Sequence, residues 1–208
     1  RAADLLVYVS ENQRAYWCRK GLRATSEVVI HNGIDVNRFA VDVSDSDTAS
    51  LRQSFGFSVN DYLIGLCATM RPEKAHGDLL TALARLRASG VRAKCLLIGD
   101  GQERKRIERN IAELGLEEHV RITGLIENVL PAIAACHVMV LVSHHVETFS
   151  IAALEAMALG KPMIMTQTGG ASEQVVEGKT GLLFSPGDIP ALVSALKKLE
   201  PAEMRLAM

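Results

Sequence analysis

Over most of the chain, short apolar runs alternate with segments in which apolar residues recur at helical spacing. The runs predict β-strands near residues 62–68, 94–98, 119–123, 137–142, 162–166 and 181–184. The segments between them predict helices near residues 75–89, 102–114, 127–135, 150–159, 170–177 and 188–199. Such alternation is typical of α/β proteins, and it predicts a Rossmann-like parallel sheet with helices on both faces.

A smaller set of elements precedes this pattern. The sequence predicts a strand over residues 5–10, a helix over 11–20 capped by Ser10, a second strand over 27–30 and a helix over 48–55. Between the last two, Asn32-Gly33 predicts a turn, because both residues tolerate a positive φ.

A polar loop containing Glu147 joins the strand at 137–142 to the next helix, which Thr148 or Ser150 can cap. Ligands of open α/β sheets bind at the carboxyl ends of strands, and a helix N-terminus there binds phosphate. Glu155 follows in the second turn among small and apolar residues, so its charge needs a partner from outside the helix. The alternative is that both glutamates are solvated surface charges.

A basic loop follows the strand at 62–68 and leads directly into a helix. Its Arg71 and Lys74 could form charge-assisted hydrogen bonds with a diphosphate, together with the first amides of the helix. The same loop could equally be a solvated turn shaped by Pro72.

Gly99-Asp100-Gly101 follows another strand and resembles the start of a dinucleotide-binding fingerprint. Arg104 stands where that fingerprint needs its third glycine, and the loop does not belong to the first strand–helix unit of the sheet. Both facts argue against an NAD-dependent oxidoreductase.

Composition narrows the function classes further. The 208 residues carry a net charge of −1, which gives no reason to expect a nucleic-acid partner. The four cysteines are scattered without metal-ligand spacing, which is typical of reduced thiols in a cytoplasmic protein. His144 and His145 are adjacent, so they point in different directions, and a loop role is favoured over a metal site.

The segment from Glu147 to Glu155 resembles the nucleotide-sugar site of retaining GT-B glycosyltransferases of family 4 (glycosyl transferases group 1), whose hallmark is two glutamates separated by seven residues. The resemblance runs from about Val28 to the end. It implies that residues 36–208 form the C-terminal nucleotide-sugar-binding domain of a GT-B fold. Residues 1–35 would be the tail of the N-terminal domain and the linker, ending in Asn-Gly-Ile-Asp.

The resemblance also implies a role for each site residue. Glu155 would accept hydrogen bonds from the ribose, Glu147 would lie near the donor sugar, and Lys74 would contact the diphosphate. The other implied donor-binding residues lie around the distal phosphate, the cleft and the base: Thr148, Phe149, Ser150, Ile151, Gly99, Gly101, Arg121 and Ile122. For Arg121, a solvated charge at a strand end is the alternative.

Lys74, Arg71 and the helix dipole would stabilise the charge that develops on the leaving diphosphate, so no metal or other cofactor is expected.

Two positions depart from the family pattern. Ala68-Thr69 stands where Gly-Arg is common, and Ala75 stands where glycine is usual. Thr69 cannot replace a guanidinium, so Arg71 must supply the charge or the site is weaker.

These implications predict the donor-binding half of a retaining glycosyltransferase that moves a sugar from a UDP- or GDP-sugar to a glycan, lipid or small acceptor, as in polysaccharide biosynthesis. The acceptor would bind through the missing N-terminal domain, so the chain alone would be inactive. The protein would be cytoplasmic, with any peripheral membrane contact made through that other half. The alternative is a noncatalytic nucleotide-binding module or partner subunit of the same fold.

Overall fold

The computed structural model describes residues 3–38, 44–145 and 147–208. At the start of the chain, β1 (Ala3–Tyr8) and β2 (Ala24–Val29) pair in parallel, and α1 (Glu11–Arg19) connects them. The predicted cap of α1 is confirmed, since the Ser10 hydroxyl accepts a hydrogen bond from the Gln13 amide.

The remaining strands form a six-stranded sheet. They are β3 (Tyr62–Cys67), β4 (Ala93–Ile98), β5 (Val120–Ile122), β6 (Val138–Leu141), β7 (Met163–Thr166) and β8 (Gly181–Phe184). Their order is β5-β4-β3-β6-β7-β8 and every pair is parallel, which confirms the predicted fold class. The chain winds outward from β3 in one direction and from β6 in the other. The boundary between β3 and β6 is therefore the switch point at which such sheets bind ligands.

Helices cover both faces of this sheet. They are α2 (Asp45–Ser54), α3 (His76–Ala88), α4 (Arg104–Glu113), α5 (Leu130–Ala135), α6 (Ile151–Ala158), α7 (Ala171–Gln174), α8 (Ile189–Lys198) and α9 (Ala202–Leu206). One core contains buried side chains of α3, α4 and α8, and the other contains those of α5, α6 and α7. No helix in the described ranges combines the length and the apolar character needed to cross a membrane.

Two helices are shorter than predicted by three residues at one end. The helix predicted over 127–135 begins only at Leu130, where the Asn128 side chain accepts a hydrogen bond from the Leu130 amide and Pro131 occupies the first turn. The helix predicted over 170–177 ends at Gln174 because Val175 is extended.

Ala75 has a left-handed backbone, with φ 48° and ψ 39°, between a short 3-10 turn at Pro72–Lys74 and α3. This conformation costs an L-residue about 1–2 kcal/mol, whereas glycine adopts it without strain. The glycine expected here from the family pattern therefore has a conformational reason.

Ala75→Gly is expected to raise the free energy of unfolding by about 0.5–1 kcal/mol, because relief of backbone strain exceeds the added entropy of the unfolded chain. Ala84→Gly, in the middle of α3, is the control and should lower it by about 1 kcal/mol. Urea denaturation of both variants measures the two changes. A loss of stability in both would contradict the strain at Ala75.

Candidate functional site

A partly buried ion pair lies at the switch point of the sheet. Lys74 follows β3 and Glu147 follows β6, and the Lys74 Nζ lies 2.7 Å from the Glu147 Oε2. The Lys74 side chain is 22% exposed and the Glu147 side chain 8%. The structure thus brings together the two residues that were predicted to act on the donor sugar and its diphosphate.

Two further groups fix the position of Glu147. The Ser143 hydroxyl donates a hydrogen bond to the same carboxylate oxygen over 2.9 Å, and the Gly170 amide donates to the Glu147 carbonyl. The Thr166 hydroxyl in turn donates to the Ser143 carbonyl over 2.6 Å. Sequence reasoning missed Ser143 and Thr166. The sequence feature that could have identified them is a hydroxyl side chain at the carboxyl end of an apolar run.

His144 ties the Glu147 loop to the Lys74 loop. Its amide donates to the Glu73 carbonyl, and its Nε2 lies 2.6 Å from Asp78 Oδ2 on α3. His144 therefore connects two loops, through its bonds with Glu73 and Asp78. Among the described residues, no three His, Cys, Asp or Glu side chains are grouped as metal ligands.

His76 follows Lys74 by two residues and is buried. Burial, followed by the positive charge of Lys74, lowers the pKa of His76 to about 4. His76 is therefore neutral near pH 7, and Lys74 supplies positive charge at this point of the site.

The N-terminus of α6 lies beside Glu147. Ser150 caps it, since its hydroxyl accepts a hydrogen bond from the Ala153 amide. The Ser150 amide donates to the Gln174 Oε1 over 2.8 Å, and the Gln174 side chain donates back to the Ser150 carbonyl. Ser150 was among the residues implied to bind the donor; in the structure its amide donates to Gln174. Gln174 was missed because a lone glutamine in a helix carries no sequence signal.

The β1–β2 unit contacts the same loop. The His31 ring stacks on Phe149 with 4.7 Å between ring centroids, and the Asn32 side chain donates to the Phe149 carbonyl. Glu173 accepts hydrogen bonds from the first amides of α1, those of Glu11 and Asn12. Phe149 is buried by these contacts, whereas its neighbour Ile151 is half exposed.

A cleft of about 240 Å³ lies at the carboxyl ends of β3, β4 and β5, with its lining completed by Ala152 of α6. Thr69, Gly99 and Asp100 line it, which places the departure from the family pattern at Thr69 on the cleft wall. A Cβ on Gly99 would lie 2.4 Å from the Ala68 carbonyl oxygen, and one on Gly101 would lie 2.5 Å from that of Met70. Both glycines are needed for this close approach of two loops.

Glu155 is placed near the same cleft. It is partly buried and lies three residues after Ala152, which lines the cleft, so the two share one face of α6. Burial raises the pKa of the nearby Cys67, another lining residue, to about 11, and the negative charge of Glu155 adds to the effect. Glu155 and Glu147 therefore flank the N-terminal turn of α6.

Two predicted residues lie apart from this arrangement. The Arg71 side chain is 60% exposed, and its guanidinium lies 4.0 Å from the Glu73 carboxylate. The Arg121 guanidinium donates to the carbonyls of Glu117 and Val120 at the start of β5, which favours the alternative of a charge at a strand end. Ile122 packs against the core.

Comparison with known proteins gives consistent matches. The chain is 32% identical to N-acetyl-alpha-D-glucosaminyl L-malate synthase of Bacillus anthracis over 163 residues, which is 78% of this chain and 42% of that protein. It is 29% identical over 205 residues to a GDP-mannose-dependent phosphatidylinositol monomannoside mannosyltransferase of Mycolicibacterium smegmatis, covering 95% of this chain and 53% of that protein. The chain thus spans about half the length of these relatives.

The fold comparison agrees with the sequence comparison. The crystal structure of Anabaena HepE in complex with UDP-glucose superposes with a TM-score of 0.89 and 30% identity, over 99% of this chain and 56% of that one. The model of the glycosyl transferases group 1 family matches residues 47–207, which is most of the sequence. The chain therefore belongs to the glycosyl transferases group 1 family.

Proposed function

We propose that this chain is the donor-binding half of a glycosyltransferase that uses a nucleotide-diphosphate sugar. The observation that carries the proposal is the Lys74–Glu147 pair, held at the switch point of the sheet beside the N-terminus of α6. A cation and a helix N-terminus at one place suit a diphosphate, and a fixed carboxylate next to them suits the sugar attached to it.

Lys74 would act on the leaving group. Its ammonium has three N–H donors and one is directed at Glu147, so a phosphate oxygen can share the same ammonium. Negative charge grows on the diphosphate as the sugar–phosphate bond breaks. Lys74 and the dipole of α6 would therefore stabilise the transition state more than the ground state. This electrostatic stabilisation requires no metal.

Two carboxylates would contact the remaining parts of the donor, which are the sugar and the ribose. Glu147 would stabilise positive charge that develops on the sugar, with retention of the anomeric configuration as in family 4. Glu155 would accept hydrogen bonds from the ribose hydroxyls, and the loop of Gly99 and Gly101 would form the opposite wall. Anabaena HepE was solved with UDP-glucose and the M. smegmatis relative depends on GDP-mannose, so we propose a UDP- or GDP-sugar as donor.

The acceptor, a glycan, a lipid or a small molecule, would bind through a second domain of the whole protein, as would a cytoplasmic membrane surface if one is involved. The 208-residue chain by itself would then bind donor without transferring sugar. A second candidate is a noncatalytic nucleotide-binding module, which Thr69 on the cleft wall favours because it supplies no positive charge there.

Calorimetric titration with UDP and GDP tests the proposal. One nucleotide should bind saturably, and Glu155→Ala should weaken it by about tenfold or more, because a charged acceptor of ribose hydrogen bonds is lost. Glu113→Ala, an exposed glutamate at the end of α4, is the control and should bind like the unmodified chain. Equal affinities of all three proteins would refute the assigned site.

Transfer by the whole protein separates the two candidates. A glycosyltransferase should lose transfer with Glu147→Gln, whereas a noncatalytic module should show no transfer before or after the change. Saturable nucleotide binding without any transfer would favour the second candidate.

A further inference from the structure

A second pocket lies at the opposite end of the sheet, independent of the proposed donor site. It has a volume of about 420 Å³, and we call it the amino-end pocket; its lining residues are Gly56, Ser58, Asp61, Arg87, Arg92, Lys94 and His119. These residues lie where β3, β4 and β5 begin, whereas the donor cleft lies where the same strands end. The six residues of β4 separate the two ends by roughly 20 Å, so one ligand cannot occupy both.

Main-chain carbonyls hold two cations of the amino-end pocket in place. The Arg87 guanidinium donates to the Ala93 carbonyl over 2.8 Å. The Lys94 ammonium donates to the Glu118 carbonyl over 2.5 Å. Each bond uses one donor out of the five of an arginine or the three of a lysine, so both cations keep donors for a ligand.

The carboxylate in the pocket offsets only part of the charge. Asp61 is 4% exposed and accepts a hydrogen bond from the Ser58 amide, and one of its oxygens lies 3.7 Å from the Arg92 guanidinium. Three permanent cations therefore converge with one carboxylate among the lining residues.

His119 lies among these charges. Burial, followed by the charges of Arg87 and Lys94, lowers the pKa of His119, whereas a backbone hydrogen bond with Glu118 and the negative charge of Glu118 oppose the shift. An anion between these groups would oppose the effect, because it favours the protonated imidazole.

From this convergence of Arg87, Arg92, Lys94 and His119 on one cavity, we propose that the amino-end pocket binds a phosphate monoester. Guanidinium and ammonium groups together suit a compact dianion with several acceptor oxygens. The cavity is larger than a phosphate group and lies within the size range of small-ligand sites, which leaves room for the esterified organic group. A soluble phosphorylated metabolite and the headgroup of phosphatidic acid share this chemistry.

The test follows the His119 imidazole by NMR, with His119→Gln to identify its signals. Glycerol 3-phosphate provides the soluble probe. Vesicles of equimolar phosphatidylcholine and phosphatidic acid provide the lipid probe, with pure phosphatidylcholine as their reference. Saturable binding should raise the pKa of His119 toward its ordinary value.

Paired double variants test the assignment of the cations. Arg92→Gln/Lys94→Gln should weaken binding of the probe by about tenfold or more, since charge-assisted hydrogen bonds are lost. Arg109→Gln/Lys105→Gln removes the same charges from α4, outside the pocket lining, and should bind as the unmodified chain does. Amide spectra show whether each variant is folded. The His119 titration of the unmodified chain does not depend on the variants.

The outcomes differ in what they establish. A response to glycerol 3-phosphate supports a soluble ester, and a response to phosphatidic acid vesicles alone supports a lipid headgroup. The proposal is overturned if neither probe moves His119, or if both double variants weaken binding equally, since the attraction would then be unspecific.

Discussion

Lys74→Met is expected to lower the free energy of unfolding by about 3 kcal/mol, although methionine fills nearly the same volume. Glu147 is 8% exposed, and loss of the ammonium leaves its carboxylate buried with the Ser143 hydroxyl as the donor that the structure still provides. Breaking a buried ion pair from one side costs about 3–5 kcal/mol. The lower end applies because Lys74 is 22% exposed. Chemical denaturation near pH 7 measures the change.

The double variant Lys74→Met/Glu147→Gln identifies the cause. A glutamine amide needs no counterion, so the double variant should be more stable than Lys74→Met. Arg14→Met is the control, because Arg14 lies 2.6 Å from Glu11 but both side chains are about half exposed. It should lose less than about 1 kcal/mol. If the double variant is no more stable than Lys74→Met, the loss is not due to an unpaired carboxylate.

Local sequence features predicted the elements that frame the site. The strands of the large sheet are buried on both faces, so their apolar runs stand out and their predicted positions agree with the structure within one or two residues. The cap Ser10 was predicted, and Ser150 was one of two predicted candidates with Thr148, because a hydroxyl directly before a helical pattern is a local signal. The strand predicted over 27–30 instead spans Ala24–Val29. Its first half is polar and partly exposed, so it gives no apolar run.

The contact between Lys74 and Glu147 required information that a local pattern does not hold. Both residues were predicted at carboxyl ends of strands, but 73 positions separate them and the contact depends on β3 lying next to β6. Arg121 was not resolved by the local pattern either, although its partners are close in sequence. Its position in a strand was predicted, but the direction of its guanidinium depends on the carbonyls of Glu117 and Val120, which the pattern does not reveal.

Gly169→Ala is expected to lower the free energy of unfolding by about 4 kcal/mol and to displace Glu147. Gly169 has φ 56°, and a Cβ there would lie 1.8 Å from the Glu147 carbonyl oxygen. The left-handed backbone costs about 1–2 kcal/mol for alanine, and overpacking against a fixed main-chain atom adds about 1–3 kcal/mol. Since the Gly170 amide also holds that carbonyl, the whole turn must move if the new methyl is to fit.

Two other glycines separate these causes. Gly178 has φ 74°, and no atom of the described residues, its two chain neighbours aside, lies within 4 Å of the place that a methyl group would take. Gly178→Ala therefore carries the backbone strain alone and should cost about 1–2 kcal/mol. Gly170 has φ −85°, which suits alanine, but its Cβ would lie 2.1 Å from the Thr148 carbonyl oxygen, so Gly170→Ala carries the clash alone.

Denaturation should rank Gly169→Ala as the most destabilised of the three. Nucleotide titration should show weaker binding in Gly169→Ala and Gly170→Ala than in Gly178→Ala, because the first two changes press on the loop that carries Glu147. Equal losses at Gly169 and Gly178 would mean that the Glu147 turn yields to the methyl group and that its position is not fixed by this contact.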